Sequence, residues 1–214
     1  PSPLRLSEFM SDPPKAGNDG SDEWVEVVNV SSETVSTAGW QISDAKASDE
    51  IPQADIPPGG YLVIAGKSAD TGDAMAVARV ADGVIGNGGS NSGDAIALLA
   101  PSGEVADAIS YGSNTVIFEP PPPAPDAGKS LGTRDPAEDE AAGNWDGTLQ
   151  PSPGEANTFA QPAVATHSTT TGAGPQDDPA DDTQARALTA DGAHDAPTLD
   201  TLDWALIAGI LACI

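Results

Sequence analysis

Short runs of alternating apolar and polar residues, separated by glycine- and proline-rich turns, recur through the first 157 positions. The clearest stretch, 84–112, predicts a glycine-rich loop, a strand over 95–99, a turn at 101–103 and a strand over 105–111. Proline fixes φ and glycine tolerates positive φ, so Pro101 and Gly103 favour a tight turn. This pattern predicts a β-hairpin.

Further strands are predicted on both sides of this hairpin, and no segment has a helical period. Trp40 and Ile42 alternate with polar neighbours and should share one face, whereas the pattern does not decide whether Trp24 or Val25 faces inward. The predicted strands cover 4–10, 23–30, 39–44, 61–65 and 75–80, with shorter segments at 115–118 and 129–131. This arrangement indicates an all-β, immunoglobulin-like β-sandwich that closes near Asn157.

The composition changes after the predicted sandwich. Positions 158–200 are rich in Ala, Thr, Pro, Gly and Asp, and large apolar side chains are nearly absent. Such a segment buries too little apolar surface to offset the loss of chain entropy on folding. We therefore divide the chain into a β-sandwich domain (1–157), a disordered acidic stalk (158–200) and a distinct C-terminal segment (201–214).

The C-terminal segment is uncharged from Trp204 onward. A membrane-spanning helix needs about 20 apolar residues, so we expect the sequence to stop inside a transmembrane helix. Trp204 lies at the polar-to-apolar border, as interfacial anchors do. The alternative is a short hydrophobic tail that packs on the domain or on a partner. The apolar anchor residues would be Leu206, Ile207, Ile210 and Leu211.

Charge and composition limit the classes of function. The net charge of −25, with only eight basic residues, argues against nucleic-acid binding through phosphates. The single cysteine, Cys213, excludes an internal disulfide. His167 and His194 both fall in the predicted stalk, which argues against a histidine-based active site or a zinc site. We expect no cofactor.

Two loops carry candidate ligand-binding patterns. The loop that contains Asp19, Asp22 and Glu23 is rich in oxygen ligands, as calcium loops are, but it lacks the spacing of an EF-hand. A polar turn that leads into a strand explains it more simply. The glycine-rich loop 86–93 resembles a phosphate-binding loop in composition only, because no helix follows it.

Several residues inside the predicted strands have both a chemical and a structural interpretation. Glu8, Glu26 and Asp107 offer paired carboxylates, but no companion nucleophile accompanies them, so we expect backbone amides or hydroxyls to hold them. This pattern predicts a non-enzyme. Asn29 begins the sequon 29–31 and is a candidate glycosylation site or a turn residue.

Seven sequence blocks, in order, carry a resemblance to a known family. The chain closely resembles the lamin-tail domain over positions 4–157, which implies an immunoglobulin-like sandwich. Members occur in nuclear lamins and in secreted or surface-bound prokaryotic proteins. This sequence contains no heptad-repeat rod, so the prokaryotic surface type is expected. The blocks are LSEFM (6–10), EWVEVVN (23–29), GWQISD (39–44), PPGGYLVI (57–64), NSGDAIAL (91–98), DAISYG (107–112) and PSPG (151–154).

Together these features predict a non-catalytic binding, adhesion or envelope-organising module at the cell surface, anchored to a membrane by its C-terminal segment. Its ligand would be an unidentified protein or glycan, contacted through loops 15–22, 46–55 and 86–93. The resemblance implies a second hypothesis, an accessory substrate-positioning domain of a larger secreted nuclease or phosphoesterase. A third is a cell-wall module bridged by calcium.

Overall fold

A computed structural model describes residues 2–15, 19–44, 46–138 and 141–159. Within them the chain forms twelve strands, two short 3-10 turns at Asp19–Ser21 and Ala142–Asn144, and no α-helix. The strands are β1 (Leu4–Met10), β2 (Trp24–Asn29), β3 (Val35–Ser36), β4 (Gln41–Ser43), β5 (Ser48–Glu50), β6 (Asp55–Ile56), β7 (Tyr61–Ala65), β8 (Val77–Arg79), β9 (Ala95–Leu99), β10 (Val105–Ser110), β11 (Ser130–Thr133) and β12 (Trp145–Leu149).

The strands form two main sheets and a small ribbon. The larger sheet has the order β12-β11-β1-β2-β7-β8, the smaller one has the order β10-β9-β4-β5, and β3 pairs with β6. All pairs are antiparallel except β7 with β8. Apolar side chains of both main sheets share one buried cluster, among them Val27 and Leu62 from the first and Ile42 and Leu98 from the second. The predicted all-β sandwich is confirmed.

The six-stranded sheet is buried on both faces, which explains why the pattern around Trp24 was ambiguous. Val25 points into the core between the sheets, whereas Trp24 lies in a second cluster with Met10 and Val63. We call the face that carries this second cluster the outer face. Trp40 and Ile42 both belong to the core between the sheets, so their predicted common face is confirmed.

Two segments without strand structure cover the outer face. Because β7 and β8 are parallel, the chain must return across the sheet between them, and residues 66–76 form this crossover. Ala69 and Ala74 of the crossover pack on the second cluster. Residues 150–159, which follow β12, form the C-terminal strap, and its Pro153 lies beside Gly72 of the crossover.

The strand directions define two opposite ends of the sandwich. We call the end where β1 finishes and β2 and β9 begin the loop end, and the opposite end, where β1 begins and β11 finishes, the tail end. The strap starts at the loop end, after β12. It reaches the tail end, where Asn157 Nδ2 donates to the Thr133 carbonyl at 3.0 Å and Arg134 lies 4.4 Å from the Phe159 ring centroid.

Two local differences from the strand predictions have simple causes. The segment 115–118 is irregular, because the amides of Ile117 and Phe118 donate to the Ser110 hydroxyl instead of to a neighbouring strand. The strands β3, β5, β6 and β12 were not predicted. The first three have only two or three residues, which is too short to show a period, and β12 contains Asp146 and Gly147, residue types that are rare in strands.

The predicted stalk lies, apart from its first two residues, outside the described residues, as does the whole predicted transmembrane segment with Trp204, Leu206, Ile207, Ile210 and Leu211. In the part of the chain that the structure describes, no helix combines the length and the hydropathy that a membrane crossing requires.

The second cluster should contribute strongly to stability, because Trp24 is only 1% exposed. We expect Trp24→Ala to lower the free energy of unfolding by about 3–5 kcal/mol, measured by urea denaturation. Val77→Ala is the control, since this edge side chain is 37% exposed and its loss should cost about 0.5 kcal/mol or less. Equal effects of the two variants would show that the outer face is not a structural core.

Candidate functional site

The structure brings parts of all three predicted contact loops together at the loop end. Glu23, directly after loop 15–22, accepts a hydrogen bond from the Gly89 amide at 2.8 Å. Asp49, in loop 46–55, accepts one from the Gly86 amide at 2.6 Å. The remainder of loop 46–55 turns towards the other end, where the Ile51 amide bonds the Trp40 carbonyl. The loop end is therefore our candidate binding site.

Carboxylates hold the glycine-rich loop in place. Four backbone amides of this loop donate hydrogen bonds to acidic side chains, and each amide has a different acidic residue as its acceptor. The bonds join the amides of Gly86, Asn87, Gly89 and Ser90 to Asp49 (2.6 Å), Asp44 (2.6 Å), Glu23 (2.8 Å) and Asp94 (3.2 Å), respectively. Charge-assisted bonds of this kind are stronger than neutral ones, so the loop is fixed by its acidic neighbours.

Glycine is required where these carboxylates approach the backbone. A Cβ on Gly86 would lie 2.2 Å from Asp44 Cγ, and its φ of +57° is unfavourable for other residues. A Cβ on Gly89 would lie 2.9 Å from the Phe9 ring. The glycine content of this loop thus reflects close approach of its backbone to acidic and aromatic side chains.

This arrangement bears on the phosphate-binding interpretation of loop 86–93. A phosphate loop needs free backbone amides, yet four amides here already point at carboxylates of the same chain. Burial raises the pKa of Asp49, and the negative charges of Asp82 and Asp44 raise it further. An anion would therefore meet occupied donors and a negative field.

The calcium candidates are placed as follows. Asp22 Oδ1 lies 2.9 Å from the Lys15 ammonium, and Glu23 is 1% exposed and bonds the Gly89 amide. Asp19 lies in the 3-10 turn Asp19–Ser21. Among residues 2–15, 19–44, 46–138 and 141–159, no group of three or more His, Cys, Asp or Glu is arranged to hold a metal ion. Calcium binding here stays a prediction.

The glycosylation candidate Asn29 is buried at the tail end. Its Nδ2 donates to the carbonyls of Glu33 at 2.7 Å and Ile56 at 2.8 Å, and its Oδ1 accepts from the Ser31 amide and hydroxyl. The side chain thus organises the turn after β2 and links it to β6. Attachment of a glycan would require Nδ2 to leave both carbonyls.

The strand carboxylates Glu8, Glu26 and Asp107 are all buried and all accept hydrogen bonds from amides or hydroxyls, as the sequence suggested. Asp107 accepts from the Leu6 amide at 2.7 Å and lies 3.9 Å from Arg5, and burial raises its pKa to about 6. These bonds join distant parts of the chain, and none of the three carboxylates faces an open surface.

A groove of about 360 Å³ lies on the outer face between the crossover and the strap. Trp24 and Met10 form part of its lining, and the Lys15–Asp22 ion pair lies at its edge near the loop end. No sequence pattern predicted this groove, because its walls come from segments that are far apart in the chain.

The acidic support of the glycine-rich loop can be tested at Asp44, whose two oxygens accept from three amides, including those of Lys46 and Asn87. We expect Asp44→Ala to raise the exchange rates of the Gly86–Ser90 amides by about tenfold or more, since a lost buried acceptor costs roughly 1–3 kcal/mol. Hydrogen–deuterium exchange measures this. Exposed Asp73→Ala should leave these amides unchanged, and similar effects of both would contradict the assignment.

The structural role of Asn29 makes a second prediction. Asn29→Ala should lower the free energy of unfolding by roughly 2–4 kcal/mol, because it leaves the Ile56 carbonyl without its side-chain donor and frees the turn at Ser31. Thermal and urea denaturation report the change. Asn87→Ala, at an exposed side chain, is the matched control. A near-neutral Asn29→Ala would show that the turn forms without this side chain.

A sequence profile of the family described as "Lamin Tail Domain" matches residues 1–113, which is more than half of the chain. The match ends after β10, while β11 and β12 complete the six-stranded sheet beyond it. A search of curated protein sequences found no significant match. The matched region contains most of the sandwich core and the acid-held glycine-rich loop. This chain therefore belongs to the lamin tail domain family.

Proposed function

We propose that this chain is a non-catalytic binding or adhesion module of the cell surface, of the prokaryotic surface type, which a C-terminal helix tethers to a membrane. The observation that carries the proposal is the position of the strap. It reaches the tail end, beside Thr133 and Arg134, whereas parts of the proposed contact loops meet at the loop end. A tether at the tail end would leave the loop end free for a partner.

The loop end has the properties of a preorganised contact surface. Its glycine-rich loop is fixed by carboxylates, so binding would order little additional backbone. The side chains of Asn87, Asn91 and Ser92 are exposed there. Polar, hydrogen-bonding side chains on a rigid loop suit a protein or glycan ligand better than an anion.

The non-catalytic part of the proposal is supported by the placement of two buried serine–carboxylate pairs. Ser7 bonds Glu26 and Ser130 bonds Glu8, but both serines are at most 2% exposed. A nucleophile must meet its substrate, and these hydroxyls lie under the strap.

Positions 158–200 would serve as the stalk. A flexible chain of this length spans roughly 35 Å on average, which is enough to lift the sandwich clear of the lipid head groups. The apolar residues from Trp204 to Ile214 would enter the bilayer.

The tether is tested by flotation of the 214-residue chain with phosphatidylcholine–phosphatidylglycerol vesicles. We expect the chain to float, and we expect Leu206→Asp with Ile210→Asp to abolish flotation, since each charge in the bilayer costs about 2.5–3.5 kcal/mol. Thr198→Asp with Thr201→Asp adds the same charge outside the apolar run and should still float.

Failure of the unmodified chain to float, or flotation of the Leu206 and Ile210 variant, would show that positions 204–214 do not attach this chain to a membrane. The accessory-domain hypothesis would then take precedence. It would be examined by sequencing the gene on both sides of this segment for a secreted nuclease or phosphoesterase domain.

A further inference from the structure

Two buried glutamates face each other beneath the C-terminal strap. Glu8 of β1 is directly opposite Glu26 of β2 in the antiparallel register, and their exposures are 1% and 0%. Like charges in this position repel each other, and burial penalises each charge further. The fold therefore places two acids where it cannot easily hold two charges.

Both glutamates hold the strap by its backbone. Glu8 accepts from the Ser152 amide at 3.1 and 3.2 Å and from the Ser152 hydroxyl at 3.0 Å. Glu26 accepts from the Gly154 amide at 2.5 Å. On the sheet side, the hydroxyls of Ser130 and Ser7 donate to Glu8 and Glu26, respectively. The two acids connect the sheet to the first half of the strap, and Asn157 connects the second half through the carbonyls of Ser7 and Thr133.

The pair is expected to retain a proton near neutral pH. Burial, with a smaller contribution from the charge of Glu8, raises the pKa of Glu26 to about 8. Burial also raises the pKa of Glu8, against the lowering effect of its bonds to Ser130 and Ser152. In a strap-open state, water would reach both carboxyls, and their pKa values would return towards the ordinary value of 4.5.

Two neighbouring groups, Tyr61 and Asp146, have pKa values that are shifted away from the pH range in which the pair titrates. Burial raises the pKa of Tyr61 above its usual value of 10, so it stays neutral, and hydrogen bonds from Thr148 lower the pKa of Asp146. The charged and titratable groups on the elements packed against the pair are Arg5 (β1), Tyr61 (β7), Lys67, Asp70 and Asp73 (crossover), Asp146 (β12, bonded to Arg134) and Glu155 (strap).

We propose that Glu8 and Glu26 form a proton-dependent latch that holds the C-terminal strap closed on the outer face and releases it when the pair loses its proton. Release removes Pro151 and Pro153 from the groove wall and exposes the Trp24 side of the sheet. The inference concerns the sandwich itself and holds whether or not the C-terminal segment enters a membrane.

The direction of the pH effect follows from the raised pKa values. The latch is fully stable at pH values below the ordinary glutamate pKa of 4.5, and its stability falls as the pH rises through about 8. Between these two pKa values, opening of the strap releases one proton. The equilibrium constant for opening should therefore increase by up to about tenfold per pH unit.

The test is hydrogen–deuterium exchange of the 214-residue chain between pH 5 and 8.5, with rates corrected for intrinsic exchange. The protection factors of the Ser152 and Gly154 amides should fall by up to about tenfold per pH unit. The Val27 amide reports on unfolding of the core between the sheets, including any destabilisation caused by the titration of Asp107. Its protection factor should fall much less. Equal losses at the strap and at Val27 would mean global unfolding and would overturn the latch.

Glu26→Gln supplies the matched variant. Its side-chain carbonyl can accept from Gly154. Its amide can donate to the Ser7 oxygen, which then accepts a hydrogen bond instead of donating one, as it would opposite a protonated glutamate. We expect the strap amides of this variant to stay protected at pH 8.5. If Glu26→Gln fails to fold, Glu8→Gln serves as the test. It removes the charge that adds to the raised pKa of Glu26, so the loss of protection should end at a lower pH and be smaller in total. Exposed Glu104→Gln should retain the wild-type profile. Flat protection in the wild type, an unchanged slope in Glu26→Gln, or a Glu8→Gln profile identical to the wild type, would overturn the proposal.

Discussion

The structure depends on buried carboxylates that accept hydrogen bonds from backbone amides far away in the sequence. Glu23 and Asp44 hold the glycine-rich loop, Asp107 holds β1 beside β10, and Glu8 and Glu26 hold the strap. An unpaired buried amide and an unpaired buried carboxylate are each costly, but together they satisfy each other. The sandwich thus uses its acids in the interior as well as on its surface.

This use of acids fits the composition of the chain. Aromatic residues make up 4% of the sequence, whereas Asp and Glu number 33. A core built largely from Val, Ile, Leu and Ala cannot by itself fix loops that contain many glycines. Carboxylates with two acceptor oxygens each provide that fixation at short range, and they require no large side chains.

Most of the longer strands were predicted from the sequence. The bounds of β1, β7 and β9 were predicted exactly as they occur, because five to seven alternating or apolar residues give an unambiguous signal. The sandwich class and the family followed from them. The face of Trp24 was not predictable, since it depends on whether the crossover and the strap cover the sheet.

For the loop end and for the glutamate pair beneath the strap, the sequence indicated individual residues but not the contacts between them. The sequence marked Glu8 and Glu26 as candidate paired carboxylates and the block 151–154 as part of the family resemblance. It did not indicate that this block lies on the two acids. Their contacts span 144 and 128 positions, and such pairings depend on the register of the sheet and on the path of the strap. The same holds for Asp44 and Asn87, where one loop supplies the acid and another supplies the amide.

The path of the strap also determines how this domain would sit within any longer polypeptide. The chain enters the sandwich near Pro3, whose carbonyl bonds the Val30 amide at the tail end, and it leaves near Phe159 at the same end. A domain whose entry and exit lie at the same end adds little contour length between its neighbours. Within a longer polypeptide it would project as a side branch, with the loop end outermost.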